Sequence, residues 1–91
     1  GKLSIRLSSH KVYAGGREIK LTPKEYALLE CLMKNKNLVM SREQLLVKCW
    51  GYDYEGDSRA VDTHIKRLRE KLGEHAACIK TVIKAGYKLE V

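Results

Sequence analysis

The chain has 91 residues, 44% hydrophobic and 32% charged, with 18 Lys and Arg against 11 Asp and Glu and a formal net charge of +7. That length holds one small domain and no second. The composition is that of an ordinary globular chain rather than a disordered one, and no apolar run approaches the roughly 20 residues a membrane helix needs.

The opening GKLSIRLSS has no apolar core followed by a small-residue cleavage site, so no secretory signal is read and a cytoplasmic protein is the simplest expectation. Cys31, Cys49 and Cys78 are odd in number and lack Cys-x-x-Cys spacing, and His10, His64 and His75 are equally scattered. Reduced thiols, no metal site and no cofactor are therefore expected. Excess positive charge favours a polyanionic partner, most often nucleic acid. It does not locate a binding face: residues 1–20 carry five basic residues against one acidic, residues 21–56 five against five, and residues 57–91 eight against five.

In chain order, LSIRL alternates so that Leu3, Ile5 and Leu7 share one side, and the AGG at 14–16 separates HKVY from REIKL, which predicts a small antiparallel meander. In LTPKEYALLECLMKNKN, Thr22 with Glu25 forms a capping-box pattern and Pro23 takes the first helical position, where a missing N–H costs nothing. Tyr26, Leu29, Leu32 and Met33 then recur at helical spacing up to an end near Lys34. Ser41 with Gln44 repeats the capping pattern for a short helix that places Leu45, Leu46 and Cys49 on one face and stops at Gly51, with Trp50 as a packing anchor. GYDYEGD is a loop whose tyrosines either lie over the domain edge or serve a function.

A third helix is predicted from a cap at Asp57 or Ser58 to Leu72, ended by Gly73. CIKTVIKAGYKLEV then reads as a hairpin turning around Ala85 and Gly86. At about 100° per residue, Val61, Ile65, Leu68 and Leu72 of the third helix form one stripe that must face the core. Arg59, Thr63, Lys66, Arg67 and Glu70 then lie opposite, with Asp62, His64 and Arg69 on the flanks. A helix buried on one side and presenting Arg, Thr, Lys and Arg on the other suits a DNA major groove, where Arg and Lys donate to guanine O6 and N7 and Thr63 bonds a base or touches a thymine methyl. An ordinary solvated charged face is the competing reading. The short capped helix before it and the hairpin after it, with Lys80, Lys84 and Lys88, favour DNA.

These residues carry a resemblance over nearly the whole chain. LTPKEYALLECLMKNKNLVMSREQLLVKCWG, RAVDTHIKRLREKLG and TVIKAGYKLEV, in that order and spacing, resemble the C-terminal effector domain of OmpR/PhoB-type response regulators. The resemblance implies an α+β winged helix-turn-helix fold: a four-stranded antiparallel N-terminal sheet, a three-helix core and a C-terminal hairpin wing. It implies that residues 58–72 are the recognition helix, that Arg59, Thr63, Lys66 and Arg67 contact bases or phosphates, that His64 and Arg69 lie near the DNA backbone, and that Thr81 touches DNA from the hairpin. Arg42, in the first turn of the second helix, is either an exposed surface residue or a phosphate contact. The segment Tyr52, Asp53, Tyr54, Glu55 matches the loop that contacts RNA polymerase in some members.

The hairpin departs from the family's Arg-Gly-x-Gly-Tyr pattern, having Ile83, Lys84, Ala85, Gly86 and Tyr87. Ile83 cannot donate the hydrogen bond that an arginine there makes in the minor groove, and Lys84 supplies charge from a neighbouring position. Gly86 and Tyr87 are read as structural, a turn glycine and a packed ring.

The implied function is sequence-specific binding of double-stranded DNA, at direct-repeat sites and in head-to-tail pairs. A phosphorylatable receiver domain is expected upstream, absent from these 91 residues, together with a cognate histidine kinase. Gly1 would then open a fragment or follow a tag. The alternative is a winged-helix protein-interaction module with non-specific affinity for polyanions. No catalytic grouping stands at a defensible spacing, so no enzyme is expected.

Overall fold

The computed structural model describes residues 3–6 and 9–90, with the backbone alone for 3–6. The expected alternation of Leu3, Ile5 and Leu7 lies outside the described side chains. The strands β1 (Leu3–Arg6), β2 (Lys11–Ala14) and β3 (Arg17–Ile19) form an antiparallel sheet in the order β1-β2-β3. Leu3 pairs with Ala14 and Val12 with Ile19. The meander is as expected, but the described residues give it three strands rather than four. Between β2 and β3 the chain reverses through Gly15 and Gly16, both in the left-handed region, leaving three residues for β3 before Leu21 leads into a helix.

Helix α1 (Pro23–Lys34) begins as its sequence dictates. The Thr22 hydroxyl accepts from the Glu25 N–H at 3.3 Å, Glu25 accepts from the Thr22 N–H at 2.9 Å, and Pro23 leaves no orphan donor. Helix α2 (Arg42–Trp50) repeats the box with Ser41 and Gln44, at 3.0 and 2.8 Å. It ends at Gly51, whose φ of 102° suits glycine.

Helix α3 (Arg59–Leu72) starts differently. Ser58 is itself helical in conformation and makes no side-chain cap, whereas Asp57 accepts from the Arg59 N–H at 2.8 Å. Of the two expected caps, Asp57 performs the work. Gly73 ends the helix at φ 58° and opens a 3-10 helix over Gly73–Cys78, an element that no local sequence pattern signals.

Strands β4 (Ile79–Val82) and β5 (Gly86–Leu89) form the hairpin. Its turn is closed by the Ala85 N–H donating to the Val82 carbonyl at 2.9 Å, with Lys84 at φ 64°. A single left-handed residue at the third position is the pattern of a type II turn. The turn's left-handed position is therefore Lys84. Gly86 answers a different need: a Cβ there would fall on the Met40 carbonyl. Met40 and Tyr87 exchange both backbone hydrogen bonds, at 2.8 and 2.9 Å, and the Asn37 N–H donates to the Leu89 carbonyl at 2.7 Å. The link between α1 and α2 thus runs along β5.

One core joins these elements. Leu28, Leu29 and Leu32 of α1, Leu45 of α2, the α3 stripe Val61, Ile65, Leu68 and Leu72, and Ile79, Tyr87 and Leu89 of the hairpin are all buried, with Val12 capping the cluster from the sheet. Fully burying each such side chain contributes about 1.5–3 kcal/mol, and truncating a core leucine to alanine costs about 2–5 kcal/mol.

Glu25 is the buried charged residue among those described. Besides closing its own cap, it accepts from Lys71 Nζ at 2.6 Å, joining the start of α1 to the last turn of α3. Burial opposes its ionisation, but the hydrogen bonds from Lys71 and Thr22 outweigh burial and hold its carboxyl below the usual range.

Candidate nucleic-acid interface

With its apolar stripe seated on α1, helix α3 has no freedom in which face it shows outward. Arg59, Thr63, Lys66, Arg67 and Glu70 are exposed, and Asp62, His64 and Arg69 are half-buried along its flanks, the division its 100° periodicity predicts. These outward residues differ in what holds them. Arg59 pairs with Asp57 at 2.9 Å on an exposed edge, a pairing that holds the Asp57 carboxyl below its ordinary range through the Arg59 backbone and side-chain donors. The Thr63 hydroxyl donates back to the Arg59 carbonyl at 3.2 Å, which leaves its oxygen able to accept. Among the described residues, Lys66 and Arg67 have no ion-pair or hydrogen-bond partner.

The flanking groups are committed. Asp62 accepts from Arg42 Nε at 2.7 Å and also from the Tyr87 hydroxyl. The Arg42 and Arg69 guanidiniums lie 5.3 and 5.5 Å from the centre of the Tyr87 ring, within cation–π range. Arg69 donates to the Ile79 carbonyl and to Thr81 Oγ1, both at 2.8 Å. Thus α2, α3 and both hairpin strands meet at one ring. Burial, followed by the hydrogen bond to Asp62 and the charge it carries, raises the Tyr87 hydroxyl above its ordinary pKa, and the bond to Asp62 raises that of Arg42.

Of the expected backbone-facing residues, the structure brings Arg69 and Thr81 into direct contact and sets Arg42 beside them. Lys84 stands apart at the exposed hairpin turn, next to Ile83, which is 82% exposed. His64 Nδ1 lies 2.8 Å from the Ala60 carbonyl, and the His64 ring meets Trp50 edge-on with centroids 5.2 Å apart.

Trp50 packs against the core, with Tyr54 tilted onto it at 6.0 Å and Lys24 Nζ 5.3 Å from its ring. The two loop tyrosines therefore part company: Tyr54 covers the domain edge, while Tyr52 is 92% exposed. Asp62 was given only a flanking place by the sequence and Tyr87 only a packing one. Their union spans 25 residues, and no local pattern signals it.

The three cysteines are unpaired, and burial pushes the Cys49 thiol up to about 11, which leaves little thiolate at neutral pH. No helix among the described residues is long and apolar enough to cross a membrane.

A three-helix core whose basic third helix lies beside a two-stranded hairpin is a winged helix. Comparison with known proteins agrees. Residues 16–89 match the family described as "Transcriptional regulatory protein, C terminal". The chain is 53% identical over 98% of its length to the transcriptional regulatory protein SrrA of Staphylococcus aureus, spanning 39% of that relative. It superposes on the Klebsiella pneumoniae RstA DNA-binding domain, solved in complex with the RstA box, with TM-score 0.88 and 34% identity, covering 99% of this chain and 92% of that one. The response regulator DrrB of Thermotoga maritima, an OmpR/PhoB homologue, gives TM-score 0.89 and 33% identity over 100% of this chain and 42% of that one. The chain belongs to the effector domains of OmpR/PhoB-type response regulators.

Proposed function

We propose that this domain binds double-stranded DNA sequence-specifically, with α3 in the major groove and the hairpin against the adjacent backbone. The observation that carries the reading is the pair Lys66 and Arg67: exposed cations without side-chain partners among the described residues, on the outward face of a helix whose other face is sealed in the core. Such groups suit bidentate donation to guanine, and Thr63 and Arg59 on the same face complete the base-reading set. Arg42, His64, Arg69, Thr81 and Lys84 serve the DNA backbone, setting register and affinity rather than sequence. Arg42 and Arg69 do so with their remaining donors, since each guanidinium has five N–H groups. That RstA was solved with its DNA box supports the same use of this scaffold.

The wider setting follows from the family. The domain acts in the cytoplasm as the output half of a regulator controlled by a receiver domain and its histidine kinase. Copies bind direct repeats head to tail, and the loop bearing Tyr52, Asp53, Tyr54 and Glu55 meets RNA polymerase.

Selection of bound sites from a random duplex library, followed by salt titration of the winner, tests the core of this proposal. The expected result is an enriched motif with an advantage of about a thousandfold or more over random DNA. Binding without enrichment that fades uniformly with salt would replace it with a basic protein-interaction module.

A further inference from the structure

We infer that Asp62 and Tyr87 are positioning residues that lock the hairpin to the recognition helix, so that base reading and wing contact act as one unit. The inference rests on the DNA-binding reading above and deepens it.

The hairpin touches α3 through two kinds of contact. One is apolar: Ile79, Tyr87 and Leu89 lie in the shared core, where packing fixes separation but tolerates small rotations. The other is directional. Tyr87 in β5 donates to Asp62 on α3, Asp62 accepts at the same oxygen from Arg42 on α2, and Arg69 on α3 reaches Ile79 and Thr81 in β4. Helices α2 and α3 and both hairpin strands are thereby referred to one carboxylate oxygen and one ring.

Asp62 lies one position before Thr63 in the base-reading set, and Thr81 lies three residues before Lys84 at the wing tip. Asp62 and Tyr87 thus adjoin proposed DNA contacts without being among them. Hydrogen bonds constrain angle as well as distance. Losing the Tyr87 hydroxyl would free the wing to shift while leaving ring, core and charges in place.

The test is a double-mutant cycle on the selected duplex, with Tyr87→Phe and Lys84→Ala made singly and together in this chain. Tyr87→Phe keeps the ring between the two guanidiniums and removes the hydroxyl's bond to Asp62 together with its interaction with Arg42. The expected results are a fall of about threefold or more in the ratio of specific to random affinity for Tyr87→Phe, and a Lys84→Ala loss that shrinks by about threefold or more in the Tyr87→Phe background.

A Val12→Ala variant, which loosens the shared core from the N-terminal sheet and leaves the hydrogen bonds of the joint in place, should show neither effect. Asp62→Ala serves as a second variant should Tyr87→Phe fail to fold, since it removes the acceptor shared by Tyr87 and Arg42 and should show the same two effects. Additive losses with an unchanged ratio in folded protein would overturn the inference. Failure of the unmutated chain to prefer any site would instead remove the DNA-binding reading beneath it.

Discussion

Lys66 and Arg67 on the outward face of α3 stand without partners among the described residues, whereas Arg42 and Arg69, at the joint between helix and hairpin, are bonded to protein and lie beside Tyr87. The residue types are alike and their duties differ. A cation left unpaired on a rigid helix keeps its donors for a ligand. A cation bonded on two sides fixes geometry. Net charge treats all four alike, which is why the sum of +7 could not locate the face.

The joint is most directly broken at Gly86. An alanine there would set its Cβ against the Met40 carbonyl at a φ of 140°, so Gly86→Ala should cost about 3 kcal/mol or more, read as a fall in denaturant midpoint. A loss within about 0.5 kcal/mol would mean that the link between α1 and α2 is free to move away from β5.

On the unpaired side, Arg67→Ala should weaken the preferred site by about 1–3 kcal/mol and relax the choice at one base pair, with melting temperature little changed. Unaltered binding in a competition assay would strike Arg67 from the base-reading set.

The Glu25–Lys71 pair gives a pH signature. Because the folded carboxyl titrates below its unfolded value, the pair's contribution is fully present above the ordinary glutamate pKa of about 4.3 and is lost as pH falls through the lower folded value. Lys71 is more than a third exposed, so solvent screening limits the contribution to about 1 kcal/mol. Urea midpoints should therefore drop less steeply below that pH in Glu25→Gln than in the unmutated chain; parallel curves would show the pair to be inert.

The smallest effect is expected at the wing tip. Lys84 holds a φ of 64° where the family's pattern has glycine, so Lys84→Gly should relieve backbone strain and stabilise the domain by about 0.5–1 kcal/mol. The same change should weaken all DNA sequences alike and reduce the salt slope by about 1. Stabilisation with an unchanged salt slope would separate the wing tip from DNA.

What could be read from the sequence was local. Both capping boxes lie within four residues, and the buried stripe and outward face of α3 follow from one periodicity. Where two local signals competed, at Asp57 and Ser58, only the structure decided, because Ser58 had already turned helical. The resemblance supplied the order of elements but implied one more strand than the described residues show. It also gave no reason to expect the 3-10 helix after Gly73. Long-range unions were invisible: Glu25 with Lys71 spans 46 residues and Arg42 with Asp62 spans 20, and nothing in either neighbourhood predicts the partner. The candidate site was therefore legible as a list of outward residues, and illegible as a distinction between those that are bare and those that are held.

The pairing of Met40 with Tyr87 bears on behaviour at high concentration. A lone hairpin offers two open edges, each a template onto which another molecule's strand can add. Here the chain between α1 and α2 lies along β5 and occupies that edge with its own backbone, and glycine at position 86 is what lets it approach closely enough. A variant that lifted this segment away would uncover a β-strand edge beside exposed Leu38 and Val39, turning a loss of packing into a route to self-association.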